Sequence, residues 1–439
     1  MKRRCIALML AAVTMFCNSG VTYAMGITES TYFEKKQDVE TVDKSEEGDA
    51  TEVSVNTLGL LSVDESETAN SVGKIEWNYD AETRVLTIGG TGRMPDYASG
   101  DAVPWNDYRS EIIQVIIGDG ITGIGRYAFY SCENLKKVVL GKSVSQLGES
   151  AFERCYNLTD LEIHSNIENI GVNTFFVTRD YIKKLYVGRG VTALDDELYS
   201  FGGLEKIEVE EGNSSYESDN GVLYNKGKTE LIRYPCKKAD ITEYQIAESV
   251  TKVRDYAFYD CESLTSVEVP SKVEKIGEYA FEYCEKLEKV VLGEGVKELG
   301  VSAFGRCYNL AELEVRSDIE GIGANAFFVT GDHIKKLYVG REVTALDDEL
   351  YSFGGLEEIA VEEGNSSYES DNGVLYNKGK TELIRYPRRK ADITEYQIAE
   401  SVTEVRDYAF YDCESLTSVE VPSKVEKIGE YAFEYCEKL

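Results

Sequence analysis

An internal repeat constrains the fold of this chain more than any other feature of its sequence. From Ile112 onward the pattern Leu-x-x-Leu-x-Ile/Val recurs at intervals of 22 to 24 residues, with two longer intervals of 37 residues. One such segment is too short to bury a core of its own, so the segments are expected to stack as the rungs of a solenoid. Thirteen complete rungs begin at Ile112, Leu135, Leu158, Ile182, Leu204, Ile241, Leu264, Leu287, Leu310, Ile334, Leu356, Ile393 and Leu416.

The short repeat is itself part of a larger repeated unit of 152 residues. Residues 126–277 align with residues 278–429 without a gap, and the second part of this unit is nearly identical in the two copies. Cys236 is one of the few exceptions, because the second copy has Arg388 at that position. The sequence therefore indicates a recent internal duplication.

Each rung divides into three parts. In a first strand, Leu158, Leu161 and Ile163 are predicted to point inward, because side chains alternate between the two sides of a strand. Residues 144–147 are typical of a second short strand on the opposite wall, and the Ala-Phe-x-x-Cys segment at 151–155 is predicted to be a helical turn that buries Phe and Cys. The expected fold class is an α/β solenoid of the leucine-rich repeat type, β-rich with short helical turns.

The two 37-residue rungs contain an insertion. Residues 219–232 and 371–384 have two apolar runs on either side of an Asn-Lys-Gly turn, which predicts a β-hairpin projecting from the solenoid. Residues 73–111 contain another hairpin pattern and are predicted to form an N-terminal β-hairpin cap on the solenoid of residues 112–439. Because the sequence stops inside a further repeat at Leu439, we expect it to be truncated at the C-terminus.

The first 72 residues are not expected to belong to the solenoid. Residues 1–24 have a basic start, a short apolar run and a final Ala24, which predicts a secretory signal peptide. Residues 25–72 hold 12 acidic and 3 basic residues, which predicts an acidic disordered tether. We therefore expect a secreted or cell-surface protein.

Charge and composition exclude several classes of function. The net charge of −32 disfavours nucleic-acid binding and membrane association. Two histidines provide little material for general-base catalysis or metal binding, and the paired carboxylates are expected to form a solvated acidic surface. We therefore expect no enzymatic activity, no catalytic residues, no cofactor and no metal.

Cysteines form the most regular chemical pattern in the chain. Seven of them occupy the slot three residues after Phe, in a line along the solenoid axis: Cys132, Cys155, Cys261, Cys284, Cys307, Cys413 and Cys436. A metal site needs convergent ligands, which a line does not supply. Unpaired packing in the core is favoured, while disulfides between neighbouring rungs remain an alternative, because the rung spacing of about 4.8 Å suits a disulfide.

The repeat resembles a known family. The run Ile-Gly-Glu-Tyr-Ala-Phe-Glu-Tyr-Cys at 276–284, the Asp-Asn-Gly-Val-Leu-Tyr-Asn-Lys hairpin and the Gly-x-Gly-x-Met-Pro lead-in are similar to those of BspA-like bacterial surface proteins with leucine-rich repeats. This resemblance covers residues 74 to 439. It implies an extracellular protein that attaches to host matrix proteins, other cells or surfaces.

The exposed strand positions are the candidate binding residues. Solenoids bind partners on such a continuous face, and tyrosines are enriched at interfaces. We expect an adhesin-like protein that binds extracellular protein or glycan partners, such as host matrix, and the alternative is a self-associating structural component of cell wall or biofilm. The candidate binding residues are Lys184, Tyr186, Glu208, Glu268, Glu314, Lys336 and Tyr338.

Overall fold

The structure is a computed structural model of the 439-residue chain. It describes residues 59–60, 74–194, 196–199, 201–238, 241–346, 349 and 353–439. The predicted signal peptide and all of the predicted tether except residues 59–60 lie outside the described residues.

The described chain forms a β-solenoid of about 13 turns. The prediction of an α/β fold class is wrong, because only 4% of the residues are helical, although the leucine-rich solenoid itself is present. Short strands and turns make up the rungs instead. The helical segments with bounds are α1 (Asp196–Tyr199) and the 3-10 turns Gly100–Ala102, Asn106–Tyr108, Thr178–Asp180 and Thr330–Asp332.

The strands before the first insertion belong to two sheets. They are β1 (Gly59–Leu60), β2 (Ile75–Asp80), β3 (Val85–Gly90), β4 (Gly92–Arg93), β5 (Gln114–Ile117), β6 (Ile121–Ile124), β7 (Lys137–Leu140), β8 (Gln146–Leu147), β9 (Asp160–Ile163), β10 (Asn169–Ile170), β11 (Lys184–Val187) and β12 (Lys206–Val209). One sheet has the order β1-β2-β3-β5-β7-β9-β11-β12, and the other has the order β10-β8-β6-β4. The second short strand predicted within residues 144–147 is therefore present as β8, in a separate sheet with β4, β6 and β10.

The strands after β12 repeat this arrangement. The middle of the chain contributes β13 (Tyr216–Asp219), β14 (Val222–Asn225), β15 (Glu230–Arg233), β16 (Glu243–Gln245), β17 (Lys252–Val253), β18 (Ser266–Val269), β19 (Lys275–Ile276), β20 (Lys289–Leu292), β21 (Glu298–Leu299), β22 (Glu312–Val315), β23 (Gly321–Ile322), β24 (Lys336–Val339) and β25 (Glu358–Val361). The remaining strands are β26 (Tyr368–Asp371), β27 (Val374–Asn377), β28 (Glu382–Arg385), β29 (Glu395–Gln397), β30 (Glu404–Val405), β31 (Ser418–Glu420) and β32 (Lys427–Ile428). The sheet β16-β18-β20-β22-β24-β25 corresponds to the long sheet of the first part.

Parallel pairing in exact register aligns equivalent residues of successive rungs. Val138 of β7 is opposite Leu161 of β9, which is opposite Leu185 of β11. These side chains are buried, as are Leu158 and Ile163, so the predicted inward positions are confirmed. Because one side of each strand is buried, a slip of one residue would expose the whole apolar set.

The Ala-Phe-x-x-Cys corners explain why helix is nearly absent. The backbone N–H groups of Tyr127, Phe129 and Ser131 donate to carbonyl oxygens of the next rung at 3.1, 2.8 and 2.9 Å. An α-helix would instead direct these N–H groups along its own axis to the residue four positions earlier. Tyr127 and Ser131 reach this arrangement through positive φ angles of 57° and 53°. The corner therefore continues the bonding between rungs, and it still buries Phe and Cys as predicted.

The insertions are built into the solenoid and do not project from it. In the first insertion, β14 pairs antiparallel with β13 and β15, and β15 pairs parallel with β17 of the following rung. Leu223 and Ile232 pack in the preceding core, whereas Tyr224 and Leu231 pack in the following one. The expectation of a projecting hairpin is wrong, because both sides of this hairpin carry apolar side chains that need burial.

The N-terminal hairpin lies at the end of the long sheet. Strands β2 and β3 pair antiparallel, and β3 pairs parallel with β5 of the first rung. Trp105 is completely buried, stacks on Phe129 at 5.5 Å and donates its indole N–H to the carbonyl oxygen of Ala128. Aromatic packing thus covers the apolar end of the rung stack.

Candidate binding face

The predicted binding residues lie on the outward side of the four-residue strands, here called the strand face. In the first long sheet, Tyr186 on β11 is flanked by Glu162 on β9 and Glu208 on β12. His164 lies beside Tyr186 with 5.8 Å between ring centroids, and its Nε2 is 2.8 Å from Glu162 Oε1. Lys184, one pleat away, is 3.9 Å from Asp160. This first cluster brings together Lys184, Tyr186 and Glu208.

A second cluster occupies the corresponding place in the other long sheet. Tyr338 on β24 is paired with Glu314 on β22, and Lys336 lies 3.5 Å from Glu358. Arg316 contacts Glu314 at 2.7 Å and Glu268 at 3.7 Å. The structure thus connects Glu268, Glu314, Lys336 and Tyr338, and it places them in a different sheet from the first cluster.

Electrostatics differ from those of an ordinary exposed tyrosine. Partial burial, followed by the carboxylates of Glu210, Glu162 and Glu208, raises the pKa of Tyr186. Partial burial, followed by Glu362 and Glu314, raises the pKa of Tyr338. Both phenols therefore stay protonated as hydrogen-bond donors in a negative environment, which suits contact with cationic or polar groups.

A second exposed surface was missed by sequence reasoning. Aromatic side chains at successive corners form what we call the aromatic edge. Tyr256 stacks on Tyr279 at 5.1 Å, Tyr408 stacks on Tyr431 at 5.2 Å, and Tyr431 keeps 53% of its surface exposed. The edge comprises Tyr127, Tyr130, Tyr156, Phe176, Tyr181, Tyr256, Tyr259, Tyr279, Tyr283, Tyr308, Phe328, Tyr408, Tyr411, Tyr431 and Tyr435.

The backbone at the aromatic edge gives a further reason to consider function there. Tyrosine occupies the first positive-φ position of five corners, at residues 127, 256, 279, 408 and 431. Asn and Gly adopt this conformation at lower cost, and Asn325 holds the same position in another rung. The signal was present in the sequence as the repeated Tyr-Ala-Phe triplet, which places one aromatic ring inside the core and another outside it.

The strand face is an open surface. The charged side chains that line the cleft beside it form ion pairs. Lys336 and Glu358 line a cleft of about 570 Å³ next to the second insertion, together with Arg389, Lys390 and Asp392. Arg389 pairs with Glu414, and Lys390 is 3.6 Å from Asp392. Among the described residues, no group of three or more His, Cys, Asp or Glu side chains is arranged to hold a metal ion. The geometry thus offers contact area along an open sheet.

The sequence of this chain matches the model of a known protein family. The model of the BspA type leucine rich repeat region matches residues 107–222, 229–357 and 388–439 in six copies. The chain belongs to the BspA-type leucine-rich repeat family. The resemblance seen in the sequence is therefore confirmed. No curated protein matches the BspA-type chain.

Solved structures that match this chain include bacterial leucine-rich repeat proteins. A leucine-rich repeat protein from Eubacterium ventriosum is 24% identical, with 84% of this chain and 88% of that chain covered and a TM-score of 0.39. The pneumococcal vaccine antigen PcpA is 20% identical over 81% of this chain and 97% of its own, with a TM-score of 0.44. A leucine-rich repeat protein from Bacteroides ovatus is 18% identical over 85% and 93%, with a TM-score of 0.47.

No helix in the described ranges of the BspA-type chain has both the length and the apolar character needed to cross a bilayer.

Proposed function

We propose that this BspA-type protein is a non-enzymatic, adhesin-like binding protein, exported to the cell surface or the surrounding medium. The repetition of the tyrosine–carboxylate cluster carries this proposal. Tyr186 and Tyr338 occupy equivalent positions, and each is opposite a glutamate on a neighbouring parallel strand. Family membership and the basic, apolar start of the sequence support the surface location.

The repeated cluster favours a partner with repeated groups. Two equivalent sites on one rigid solenoid let a second contact form without a further loss of translational freedom, provided that the partner can reach both. Carboxylates around each phenol and the net charge of −32 favour partners with amino or guanidinium groups. The proposed partners are therefore extracellular proteins or glycans with exposed positive charge, such as matrix proteins.

Binding by the full chain to immobilised matrix proteins and amine-bearing glycans tests this function. The double variant Tyr186→Ser/Tyr338→Ser should weaken binding at least tenfold, because it removes both central side chains, whereas either single variant should retain part of the avidity. Raising the salt concentration should also weaken the interaction. The control Tyr256→Ser/Tyr408→Ser, which changes the aromatic edge at the same spacing, should bind normally. Equal loss in both double variants, or no retention of any partner, contradicts the proposal.

The aromatic edge favours a second candidate function, self-association as a component of cell wall or biofilm. Its exposed rings include Phe176 at 55%, Phe328 at 50% and Tyr408 at 45% exposure. Groups of exposed aromatic side chains of this kind are typical of protein interaction sites. Light scattering over a range of protein concentrations should show assemblies that Tyr256→Ser/Tyr408→Ser abolishes and Tyr186→Ser/Tyr338→Ser preserves. A monomer at every concentration contradicts this second function.

A further inference from the structure

Two buried thiols meet where the first insertion returns to the solenoid. The Sγ atoms of Cys236 and Cys261 are 3.0 Å apart, and both side chains are almost fully buried. Cys236 follows β15, and Cys261 lies in the corner of the next rung, 25 residues later. Neighbouring strands are about 4.8 Å apart, within the Cα separation that a disulfide spans. The structure holds both cysteines as free thiols.

We propose that Cys236 and Cys261 form a disulfide that fastens the first insertion to the following rung. The bond is specific to this pair, because Cys236 lies outside the line of seven cysteines that follow Phe and Cys261 lies within it. Cys155, Cys284 and Cys307 direct their Sγ atoms to carbonyl oxygens of the preceding rung's Phe at 3.2, 3.1 and 3.1 Å. Those thiols have a backbone acceptor, as Cys236 does in the carbonyl oxygen of Tyr259 at 3.0 Å, whereas Cys261 points at another sulfur.

A buried cation beside the pair favours thiolate chemistry. Arg233 is 1% exposed and donates to the carbonyl oxygens of Tyr256 at 2.5 Å and Tyr259 at 3.4 Å. Burial acts to raise the pKa of the Cys236 thiol, but the hydrogen bond from Cys261 and the charge of Arg233 hold that pKa below its ordinary value. The thiolate is the nucleophile in disulfide exchange, so the charge of Arg233 favours attack by Cys236 when the folded site opens locally.

The reaction needs an external disulfide as oxidant. The Cys236 thiolate attacks one sulfur of the oxidant, which forms a mixed disulfide and releases one thiolate. Cys261 then loses its proton and attacks the Cys236 sulfur, which forms the Cys236–Cys261 bond and releases the second thiolate. Two electrons and two protons leave the protein, and the oxidant is reduced to two thiols. Because both sulfurs are buried, the exchange takes place during folding or local opening.

The duplicated copy supplies the contrast that makes this bond specific. Position 388, which corresponds to Cys236, is Arg, and its guanidinium pairs with Asp412. Cys413, which corresponds to Cys261, is thus left without a cysteine at the equivalent place in the second insertion. The proposal rests on the proposed export only for the source of oxidant in the organism, and its test supplies the oxidant directly.

A peptide map of the full chain tests the proposal. The protein is purified with reductant, refolded from denaturant with oxidised glutathione, alkylated and digested with trypsin without reduction. The expected product links Tyr234–Lys237 to Asp255–Lys272, and dithiothreitol separates it into the two peptides. Oxidation should also raise the midpoint of thermal unfolding by a few degrees, because the link closes a loop of 25 residues.

Matched variants separate this bond from other thiol reactions. Cys413→Ser should keep both the linked peptide and the shift in midpoint, whereas Cys236→Ser should lose both. Recovery of Cys236 in alkylated form after oxidation overturns the proposal, and so does a link between Cys261 and Cys284. The peptide map of the unaltered chain decides the question even if Cys236→Ser does not fold. Because no partner is present in this experiment, its result is independent of whether the strand face binds one.

Discussion

The two insertions have nearly the same sequence and the same hydrogen-bonded frame. In the first, the hydroxyl oxygens of Tyr224 and Tyr244 are 2.6 Å apart, and in the second those of Tyr376 and Tyr396 are 2.5 Å apart. Both hairpins have the same strand pairing, including an irregular register between the second and third strands. The frame of the insertion is therefore independent of the few residues that differ.

The difference lies where each insertion rejoins the solenoid. The first copy has Cys236 against Cys261, next to the half-buried Asp260. The second has Arg388, which pairs with Asp412. Burial, as the largest effect, raises the pKa of Asp260 to about 6. The same slot in the stack therefore accepts either a cysteine or an arginine, each of them near an aspartate of the next rung.

The largest expected change in stability tests whether the two insertions are buried in the solenoid core to the same extent. Leu231→Ala and Leu383→Ala should each lower the free energy of unfolding by about 3 kcal/mol, because both side chains are fully buried. Urea unfolding followed by circular dichroism measures the loss. The exposed Glu248→Ala serves as the control and should change little. If either substitution left the free energy of unfolding unchanged, that insertion would instead project from the solenoid, as first predicted.

The next effect removes the charge that distinguishes the second copy. Arg388→Ala should lower the free energy of unfolding by about 2 kcal/mol at neutral pH, because it leaves Asp412 partly buried without its cation. A double-mutant cycle with Asp412→Asn measures the coupling, and the double variant should recover much of the loss. Additive single effects would show that this ion pair does not stabilise the second copy.

Asp260 provides a pH-dependent test of the first copy. Its folded pKa of about 6 lies above the ordinary value of 3.8, so the folded state binds the proton more tightly. Stability should therefore fall as pH rises from about 4 to 6 and then level off. Asp260→Asn should remove this dependence and stabilise the protein at pH 7 by about 1 kcal/mol, a figure reduced for partial exposure. Denaturant midpoints between pH 4 and 7 measure it, and a destabilised variant at pH 7 would contradict the assignment.

The smallest expected effect concerns an ion pair that the copies share. Lys228 and Lys380 lie 2.7 Å from Asp219 and Asp371, respectively. Because these pairs are partly exposed to solvent, Lys228→Ala and Lys380→Ala should each lower the free energy of unfolding by about 0.5 kcal/mol, and the two losses should be equal. Thermal unfolding at low and high salt measures the loss, which salt should reduce. A large difference between the two would mean that the frames are not equivalent.

Much of the core follows directly from the spacing of residues. Leu158, Leu161 and Ile163 point inward as predicted, since a strand alternates its side chains. The helical turn was wrong because the residues of 151–155 do not by themselves reveal that the N–H groups of Phe152 and Arg154 donate to the next rung. The projecting hairpin was wrong because the turn pattern does not show that Val222, Leu223 and Tyr224 are all buried, on both sides of the strand.

The candidate site was predictable in position but not in its contacts. The strand period identified Tyr186 and Tyr338 as outward-facing, and both lie on the strand face. Its ion pairs were not predictable, because Arg316 reaches Glu268 two strands away. The aromatic edge was not predicted, because the Tyr-Ala-Phe triplet was interpreted only through its buried Phe. The outward position of its Tyr was not considered.

The sequence by itself determined the rungs, their length and their buried positions, because apolar spacing and turn residues act within one repeat. The tertiary structure alone decided which groups of different rungs meet. The contact between Cys236 and Cys261, the pair of Arg388 with Asp412 and the positive φ angles of the corners all depend on the register between rungs. Register is a property of the stacked sheet, in which the backbone hydrogen bonds between parallel strands of neighbouring rungs join residues more than 20 positions apart.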